Sequence, residues 1–337
     1  MVYQSDLFWL ASAFDQSLKP VSVKRNPRVG SVIIDKTGLL LASGSHEGYG
    51  TAHAEQVAIR NAKGRTKGAT IYVNLAPCNH VGKTPSCCVA IIESGIKKVV
   101  YSVDDPNPLS QGNIDFLKIN GVEVVKIKAP KKYENVNFRW LQSYSKQRPY
   151  VSAKIALSLD GYIHNNIKKN MRLTGKEVER EVHIIRNGCD AVVTGTGTVL
   201  TDNPKLNVRF PKRIASKNQP IRYVVGNKEI PKSFNVFDEE SETVFSPTKE
   251  PKLILQDLME LDVRTVLLES GPTLFTKFLE AKCIDELVIY LAPKFLGQGL
   301  GIVNTILSPI SDYHSRVSKV DIVGNDLRIR ILLNNEM

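Results

Sequence analysis

Residues 69–94 read ATIYVNLAPCNHVGKTPSCCVAIIES, and this stretch decides the fold. Its first part, Ala69–Leu75, is rich in β-branched residues and predicts a buried strand. Its last part, Pro85–Ser94, opens on a proline and is followed by a glycine, which is typical of a helix. Cys78 lies just after the predicted strand, and Cys87 lies early in the predicted helix. One thiol is therefore expected at the end of the strand and the other at the start of the helix.

Strand and helix patterns alternate on both sides of this stretch. In the first half, residues 54–63 have helical apolar spacing, and in the second half residues 177–186 predict a helix. Such alternation predicts layered α/β domains. The other strands are predicted at residues 29–34, 39–42, 98–103, 122–127, 150–157, 191–194, 221–225, 265–268 and 286–291. We expect a turn over the Gly-Thr-Gly-Thr run that begins at Gly195, and mostly loops between residues 210 and 250.

The chain has 337 residues, about twice the length of a typical domain, so we expect two domains. Residues 130–148 are charged and aromatic and end at Arg148-Pro149. We place the boundary there, which gives domains of residues 1–147 and 148–337.

The net charge of +11 is concentrated in the first domain. Residues 1–147 carry 19 Lys and Arg against 11 Asp and Glu, whereas residues 148–337 carry 26 against 23. A positive excess favours an anionic partner, either a phosphorylated small molecule or RNA. Scattered solvated lysines give the same count, and no block of five basic residues is present.

Cysteine usage and the N-terminal residues bear on the compartment. The five cysteines include three within residues 78–88, which favours a metal or catalytic site over a disulfide framework. The N-terminus lacks a basic segment before its apolar residues, and no run approaches the roughly 18–20 apolar residues of a membrane span. We therefore expect a cytoplasmic protein with no membrane contact.

The strongest functional signal is His53-Ala54-Glu55 followed by Cys78 and Cys87. One imidazole and two thiolates suit zinc and leave a fourth position open, as in catalytic zinc sites. Zinc lowers the pKa of a bound water to about 7. Glu55 lies two residues after His53, close enough to move protons without being a ligand, and this order is typical of zinc-dependent base deaminases. The alternatives are a structural zinc site completed by Cys88 or His80, or residues that are unrelated in space.

Several further motifs, in matching order over nearly the whole chain, make it similar to the bifunctional riboflavin-biosynthesis deaminase/reductase family. These motifs are Asn26-Pro27-Arg28-Val29-Gly30, residues 75–87 (LAPCNHVGKTPSC), residues 105–108 (DPNP), residues 154–161 (KIALSLDG), residues 195–204 (GTGTVLTDNP), residues 269–274 (ESGPTL) and residues 291–294 (LAPK).

The resemblance implies a cytidine-deaminase-like three-layer α/β domain followed by a dihydrofolate-reductase-like domain. It implies that the first domain deaminates 2,5-diamino-6-ribosylamino-4(3H)-pyrimidinone 5′-phosphate with one zinc ion per chain and Glu55 as the proton shuttle. The second domain would use NADPH to reduce the ribosyl group to ribityl. A homo-oligomer is also implied.

The resemblance further assigns residues to the two sites. In the first domain, the substrate contacts would be Asn26, His46, His80 and Lys83, and a lysine suits a phosphate monoester. In the second domain they would be Lys154, Arg186, Asp202, Leu206, Arg209 and Glu269, with the arginines on the phosphate. NADPH would contact Thr174, Gly195, Thr196, Gly197, Thr198, Asp202 and Gly271. Glycines and threonines of this kind form a plausible phosphate cradle, although a Gly-x-Gly turn alone is weak support.

Three positions depart from the family pattern. Ala76 replaces a glutamate before Pro-Cys, which weakens support around the metal ligands. Arg172 replaces a tryptophan, which would lower NADPH affinity if that ring packs on the cofactor. Gly226 lies where the family usually has an aspartate.

Two rival functions remain open from the sequence. A nucleic-acid base deaminase such as a tRNA-editing enzyme would suit the basic first half, but such enzymes usually have the shorter P-C-x-x-C spacing and no nicotinamide domain. The other alternative is a deaminase whose reductase half serves only as a scaffold.

Overall fold

The computed structural model describes residues 4–79, 86–164, 172–210, 219–303 and 314–334. The chain divides into two compact units, Met1–Ser145 and Lys146–Met337. The domain boundary between residues 147 and 148 stays a prediction, because compactness alone does not define an independently folding domain. Within the described residues, no helix combines the length and apolar character that crossing a bilayer requires.

The first unit is built on a five-stranded mixed sheet in the order β2-β1-β3-β4-β5. β1 pairs antiparallel with β2 and β3, whereas β3, β4 and β5 run parallel. Its elements are α1 (Gln4–Ser17), β1 (Gly30–Ile34), β2 (Leu40–Ser45), α2 (Ala54–Asn61), β3 (Thr70–Leu75), α3 (Cys87–Glu93), β4 (Lys98–Val103), α4 (Asn113–Ile119), β5 (Glu123–Lys126) and α5 (Phe138–Ser145), with 3₁₀ turns at Pro108–Ser110 and Lys131–Tyr133.

Helices cover both faces of this sheet, which makes the unit three-layered. Along β3, Ile71 and Val73 pack in the core cluster that includes the buried residues of α2, α3 and α4. Tyr72, between them, packs in a second cluster with Leu10 and Phe14 of α1. The alternation follows from the two-residue period of a strand, and burial of each such side chain stabilises the fold by roughly 1.5–3 kcal/mol.

A glycine brings α2 against the sheet. A Cβ atom on Gly44 of β2 would lie 2.2 Å from the carbonyl oxygen of Ala54 and 2.6 Å from the amide nitrogen of Ala58. A residue with a side chain would therefore force the helix away from the strand. This close approach fixes the N-terminus of α2, where His53 and Glu55 lie.

The second unit contains an eight-stranded sheet in the order β10-β9-β8-β11-β6-β12-β15-β14. The first six strands of that order are parallel, and β15 and β14 add in antiparallel fashion. The elements are β6 (Tyr150–Ser158), β7 (Tyr162–His164), α6 (Lys176–Asn187), β8 (Ala191–Gly195), α7 (Thr196–Asp202), β9 (Ile221–Val225), β10 (Thr243–Ser246), α8 (Pro251–Glu260), β11 (Thr265–Leu268), α9 (Pro272–Glu280), β12 (Glu286–Ala292), β13 (Leu300–Gly301), β14 (His314–Val323) and β15 (Asp326–Asn334).

Helices lie on both faces of the second sheet as well. Val193 and Leu268 pack in one core cluster with Phe278 of α9. Val192 and Leu267 pack in another with the buried residues of α6. Both units are therefore layered α/β structures, as the alternating sequence pattern predicted.

The turn predicted over Gly195–Thr198 is wrong, because α7 begins at Thr196. Glycine lowers helix propensity, but the fully buried Val199 anchors this short helix to the core. The charged and aromatic residues 130–148, to which we assigned no regular structure, contain α5, whose Trp140 is buried.

Candidate active sites

Three element ends meet at the candidate metal centre of the first unit. Cys78 follows β3, and Cys87 is the first residue of α3, whose N-cap Ser86 accepts a hydrogen bond from the amide of Val89. His53 is the N-cap residue of α2, and Glu55 lies in the first turn of that helix. The strand and the two helix N-termini thus carry the functional groups on rigid backbone.

The three expected ligands converge. His53 Nδ1 lies 3.2 Å from Cys87 Sγ and 3.4 Å from Cys78 Sγ, and all three ligand atoms lie within 4.8 Å of one another. Tetrahedral zinc with ordinary Zn–N and Zn–S bonds separates nitrogen from sulfur by about 3.5 Å. The donor set and its spacing therefore fit zinc.

Glu55 is buried beside these ligands. Its side chain is 3% exposed, and its Oε2 atom has no hydrogen-bond partner among the described residues. Burial raises the pKa of Glu55 to about 7, with the positive charge of His53 acting in the opposite direction. A carboxyl group with such a pKa gains and loses a proton readily near neutral pH.

The three expected ligands also stabilise a thiolate. The hydrogen bond from Cys87 lowers the pKa of Cys78 to about 4, and the same bond raises the pKa of Cys87 well above its usual value. The hydrogen bond with Cys78 raises the pKa of His53 to about 9. A bound cation would take the place of the protons held in this cluster.

His46 and Asn26 were both expected to contact substrate. The His46 ring is buried and lies edge-on to the His53 ring, with 5.5 Å between centroids. Asn26 is partly exposed and follows Lys24 and Arg25, which both have positive φ. Their substrate contacts stay predictions, and the other two expected contacts, His80 and Lys83, lie outside the described residues.

Cys88 does not point to the metal ligands. Its Sγ donates to the carbonyl oxygens of Pro77, at 3.5 Å, and of Asn113, at 3.8 Å, and its side chain belongs to the core. Within the described part of the chain, the metal-binding group contains only His53, Cys78 and Cys87. The alternative in which Cys88 completes a structural site gains no support from this geometry.

Sequence reasoning assigned no role to Asp105, although its motif was noted. Its carboxylate accepts from Ser110 Oγ at 2.6 Å and from the amide of Asn107 at 2.9 Å. Its charge contributes to the raised pKa of His53. The signal that could have identified Asp105 is an acidic residue shortly after β4, the strand that pairs with β3.

In the second unit, the carboxyl ends of β8, β9 and β11 form the candidate reductase cleft, where open parallel sheets usually bind ligands. Arg186 of α6 and Glu269, just after β11, form a bidentate ion pair. The Nε–Oε1 distance is 2.5 Å and the Nη2–Oε2 distance is 2.9 Å. The side chains are only 12% and 11% exposed, so Arg186 is held tightly in place.

Two other expected substrate contacts, Lys154 and Arg209, interact electrostatically with this pair. Burial lowers the pKa of Lys154, and the charges of Glu269 and Asp202 act in the opposite direction, so Lys154 lies in their electrostatic field. Leu206 is buried with positive φ. The Arg209 guanidinium donates a hydrogen bond to Asn207 Oδ1 at 2.5 Å.

The expected cofactor residues lie mainly at the end of β8. Gly195 ends that strand, and Thr196, Gly197 and Thr198 form the first turn of α7. Thr198 Oγ1 accepts a hydrogen bond from the amide of Gly271 at 3.2 Å, which joins α7 to the loop after β11. Thr174, just before α6, is partly exposed.

The three departures from the family pattern have distinct settings. Arg172 is 74% exposed and pairs with Glu179 on the surface. Ala76 is buried in the core, and its amide donates to Val103. Gly226 has φ +122°, and a Cβ atom there would lie 2.6 Å from Thr196 Oγ1.

Comparison with known proteins matches both units. Residues 4–103 match the family model of the cytidine and deoxycytidylate deaminase zinc-binding region, and residues 149–326 match that of the RibD C-terminal domain. The riboflavin biosynthesis protein RibD of Aquifex aeolicus is 35% identical over 329 residues, covering 90% of this chain and 91% of the relative.

Solved structures agree over the whole chain. RibD of Acinetobacter baumannii, form 2, has a TM-score of 0.88 at 30% identity, covering 98% of this chain and 99% of that one. A diaminohydroxyphosphoribosylaminopyrimidine deaminase/5-amino-6-(5-phosphoribosylamino)uracil reductase of Thermotoga maritima has a TM-score of 0.83, with the same identity and coverage. A nucleic-acid base deaminase would not account for the match of the second unit.

Proposed function

The chain belongs to the RibD family of bifunctional riboflavin-biosynthesis enzymes, and we propose that Glu55 and the ligands His53, Cys78 and Cys87 carry its deaminase step. The protein is a hydrolase and an oxidoreductase. It removes an amino group from 2,5-diamino-6-ribosylamino-4(3H)-pyrimidinone 5′-phosphate and reduces the ribosyl group of the product to ribityl, with zinc and NADPH as cofactors.

One observation carries the deaminase assignment. A buried carboxyl group with a free oxygen lies beside one imidazole nitrogen and two sulfurs that are within 4.8 Å of one another. Burying such an oxygen without a hydrogen bond costs about 1–3 kcal/mol, so a site that uses it is favoured over a structural one.

The chain's own groups then have defined tasks in deamination. His53, Cys78 and Cys87 would hold zinc, which would supply Lewis acidity toward water at neutral pH. Glu55 accepts a proton from the attacking water and delivers a proton to the departing amino group, which leaves as ammonia. Asn26 and His46 hold the pyrimidine so that the carbon bearing the amino group faces Glu55.

The second unit binds and orients two substrates. Bound NADPH would supply the hydride for the sugar carbon, and the protein's own groups supply position and charge. Lys154 and Asp202 contact the sugar, while the first turn of α7 and Gly271 contact NADPH. Glu269 holds Arg186, and the guanidiniums of Arg186 and Arg209 take the substrate phosphate.

Oligomeric state and location are further proposals. Family analogy supports a homo-oligomer, and five cysteines that are all free thiols support a cytoplasmic location. Light scattering on the purified protein and fractionation of cells test these two points.

The Glu55→Gln variant tests the deaminase assignment. Removal of a proton shuttle costs about 10²–10⁴-fold in rate. We expect ammonia release from the pyrimidine phosphate to fall by that factor, while zinc content and the NADPH-dependent reduction of the deaminated intermediate stay at wild-type levels. Wild-type ammonia release by this variant would contradict the assignment.

A further inference from the structure

We propose that Asn137 is a positioning residue for deamination. Its side-chain amide clamps the main chain of Arg28 and thereby holds Asn26 and His46 in the substrate pocket. The proposal rests on the substrate contacts proposed above for Asn26 and His46.

The clamp lies where the sheet ends. The β1–β3 ladder runs from Ile34 to Ser31, which pairs with Val73, and the strands have no further backbone pairing there. Beyond it the Asn74 side chain takes over: its Oδ1 accepts from the amide of Gly30 at 2.9 Å, and its Nδ2 donates to the carbonyl of Arg28 at 2.8 Å. The Asn74 side chain thus pairs with backbone groups that have no partner strand before β1.

Asn137 completes the clamp from a distant part of the sequence. Its Oδ1 accepts from the amide of Arg28 at 2.8 Å, and its Nδ2 donates to the carbonyl of the same residue at 3.0 Å. The side chain is 9% exposed and lies 109 positions along the chain from Arg28. An amide offers a donor and an acceptor together, which ionised aspartate does not.

The clamped segment leads to both proposed substrate contacts. Asn26 lies two residues before Arg28, and the amide of His46 donates to the carbonyl of Val29 at 3.0 Å. The guanidinium of Arg25 also lies 5.3 Å from the centre of the Tyr49 ring, which joins the Asn26 loop to the loop after β2. A shift of Arg28 therefore moves the Asn26 and His46 backbones together.

A cavity behind Asn137 makes the clamp chemically accessible. Asn137 is one of the residues that line a cavity of about 460 Å³, together with Ser102, Lys126, Lys128 and Leu141. Asn74 is not among the lining residues and is only 1% exposed. Truncation of Asn137 would therefore open a space that a small amide can enter, whereas truncation of Asn74 would leave a closed one.

The test is the deamination kinetics of Asn137→Ala with and without added formamide. A misplacement of about 1 Å can cost about 10²-fold in rate, so we expect kcat/KM for ammonia release to fall at least tenfold, mostly through a raised KM. Zinc content and the reductase activity of the same protein should stay at wild-type levels. Formamide should restore part of the lost activity of Asn137→Ala. Asn137→Asp keeps only the acceptor, so its kcat/KM should lie between those of Asn137→Ala and the wild type.

Asn74→Ala is the matched control, since it removes the neighbouring clamp without opening the cavity. It should lose activity that formamide does not restore. Unchanged kcat/KM in Asn137→Ala, loss of zinc or reductase activity with it, or equal rescue of both variants would overturn the proposal. Glu55→Gln is expected to lower kcat instead of raising KM, so failure of the deaminase assignment is distinguishable from failure of the clamp.

Discussion

Glu55 and Cys88 show how neighbouring buried residues differ in use. The Cys88 thiol donates to two carbonyl oxygens, and burial raises its pKa to about 12, so it stays protonated. Glu55 keeps a free buried oxygen next to three metal-binding atoms. Core packing accounts for the first residue, whereas proton transfer to a substrate or water gives the free oxygen of the second a use.

Gly226 explains one departure from the family at the level of a single residue. The resemblance led us to expect aspartate at this point, but the backbone here has φ +122°, which side-chain-bearing residues rarely adopt. The Thr196 hydroxyl also occupies the space that a Cβ atom would need. In this chain, glycine and Thr196 fit each other.

We therefore predict that Gly226→Asp, which restores the family residue, destabilises the second unit by about 1–3 kcal/mol. Gly188→Ala is the control, since Gly188 has φ −83° and a Cβ atom there would have only ordinary contacts, the nearest at 3.4 Å. Urea unfolding of the second unit, with loss of NADPH binding as the signal, measures the change in its free energy of unfolding. An aspartate variant as stable as the control would refute the steric explanation.

At the scale of elements, one ion pair ties α6 to the end of β11. Arg186 and Glu269 lie 83 residues apart and are nearly buried. Burial raises the pKa of Glu269, but the charge and hydrogen bonds of Arg186 lower it by more than burial raises it. Lys154 and His183 add to the lowering, so the net result is a depressed pKa. The carboxylate thus depends on its cationic neighbours to stay ionised.

This dependence predicts how stability changes with pH. A depressed folded-state pKa contributes stability that is complete above the unfolded value of about 4.3 and is lost as the pH falls through the folded value. We expect Arg186→Gln to cost about 3–5 kcal/mol at pH 7, because Glu269 stays buried and charged without its main partner. The cost should shrink as the pH falls, because the buried carboxylate of the variant takes up a proton above about 4.3 and the wild-type ion pair is lost below about 4.3. Thermal unfolding at several pH values measures the difference from wild type, and a deficit independent of pH would contradict this view.

The scale of the whole molecule shows how far the sequence leads. The alternating patterns predicted β4, β9 and β11 with the bounds that the structure has, because buried parallel strands are short apolar runs between turn signals. The sequence also predicted His53, Cys78 and Cys87 as ligands, and their side chains converge in the structure. Each lies at an element end whose pattern is local, so their convergence followed from the strand–helix order.

Contacts between distant segments could not be predicted in this way. The Asn137 clamp joins residues 109 positions apart, and an asparagine in a charged and aromatic stretch has no local signature of such a role. The helix α7 was interpreted as a turn because glycine and threonine disfavour helices locally, whereas packing of Val199 decides the outcome. Tertiary contacts therefore fix what local patterns leave open.

The central claim is that His53, Cys78 and Cys87 hold one zinc ion beside Glu55. Metal analysis of the wild-type protein, Cys87→Ser and Cys88→Ser tests it most directly, because the two cysteines are adjacent and equally buried but only Cys87 belongs to the metal-binding group. We predict one zinc per chain in the wild type and in Cys88→Ser, and loss of zinc together with ammonia release in Cys87→Ser. Full zinc content in Cys87→Ser, or its loss in Cys88→Ser, would contradict the claim.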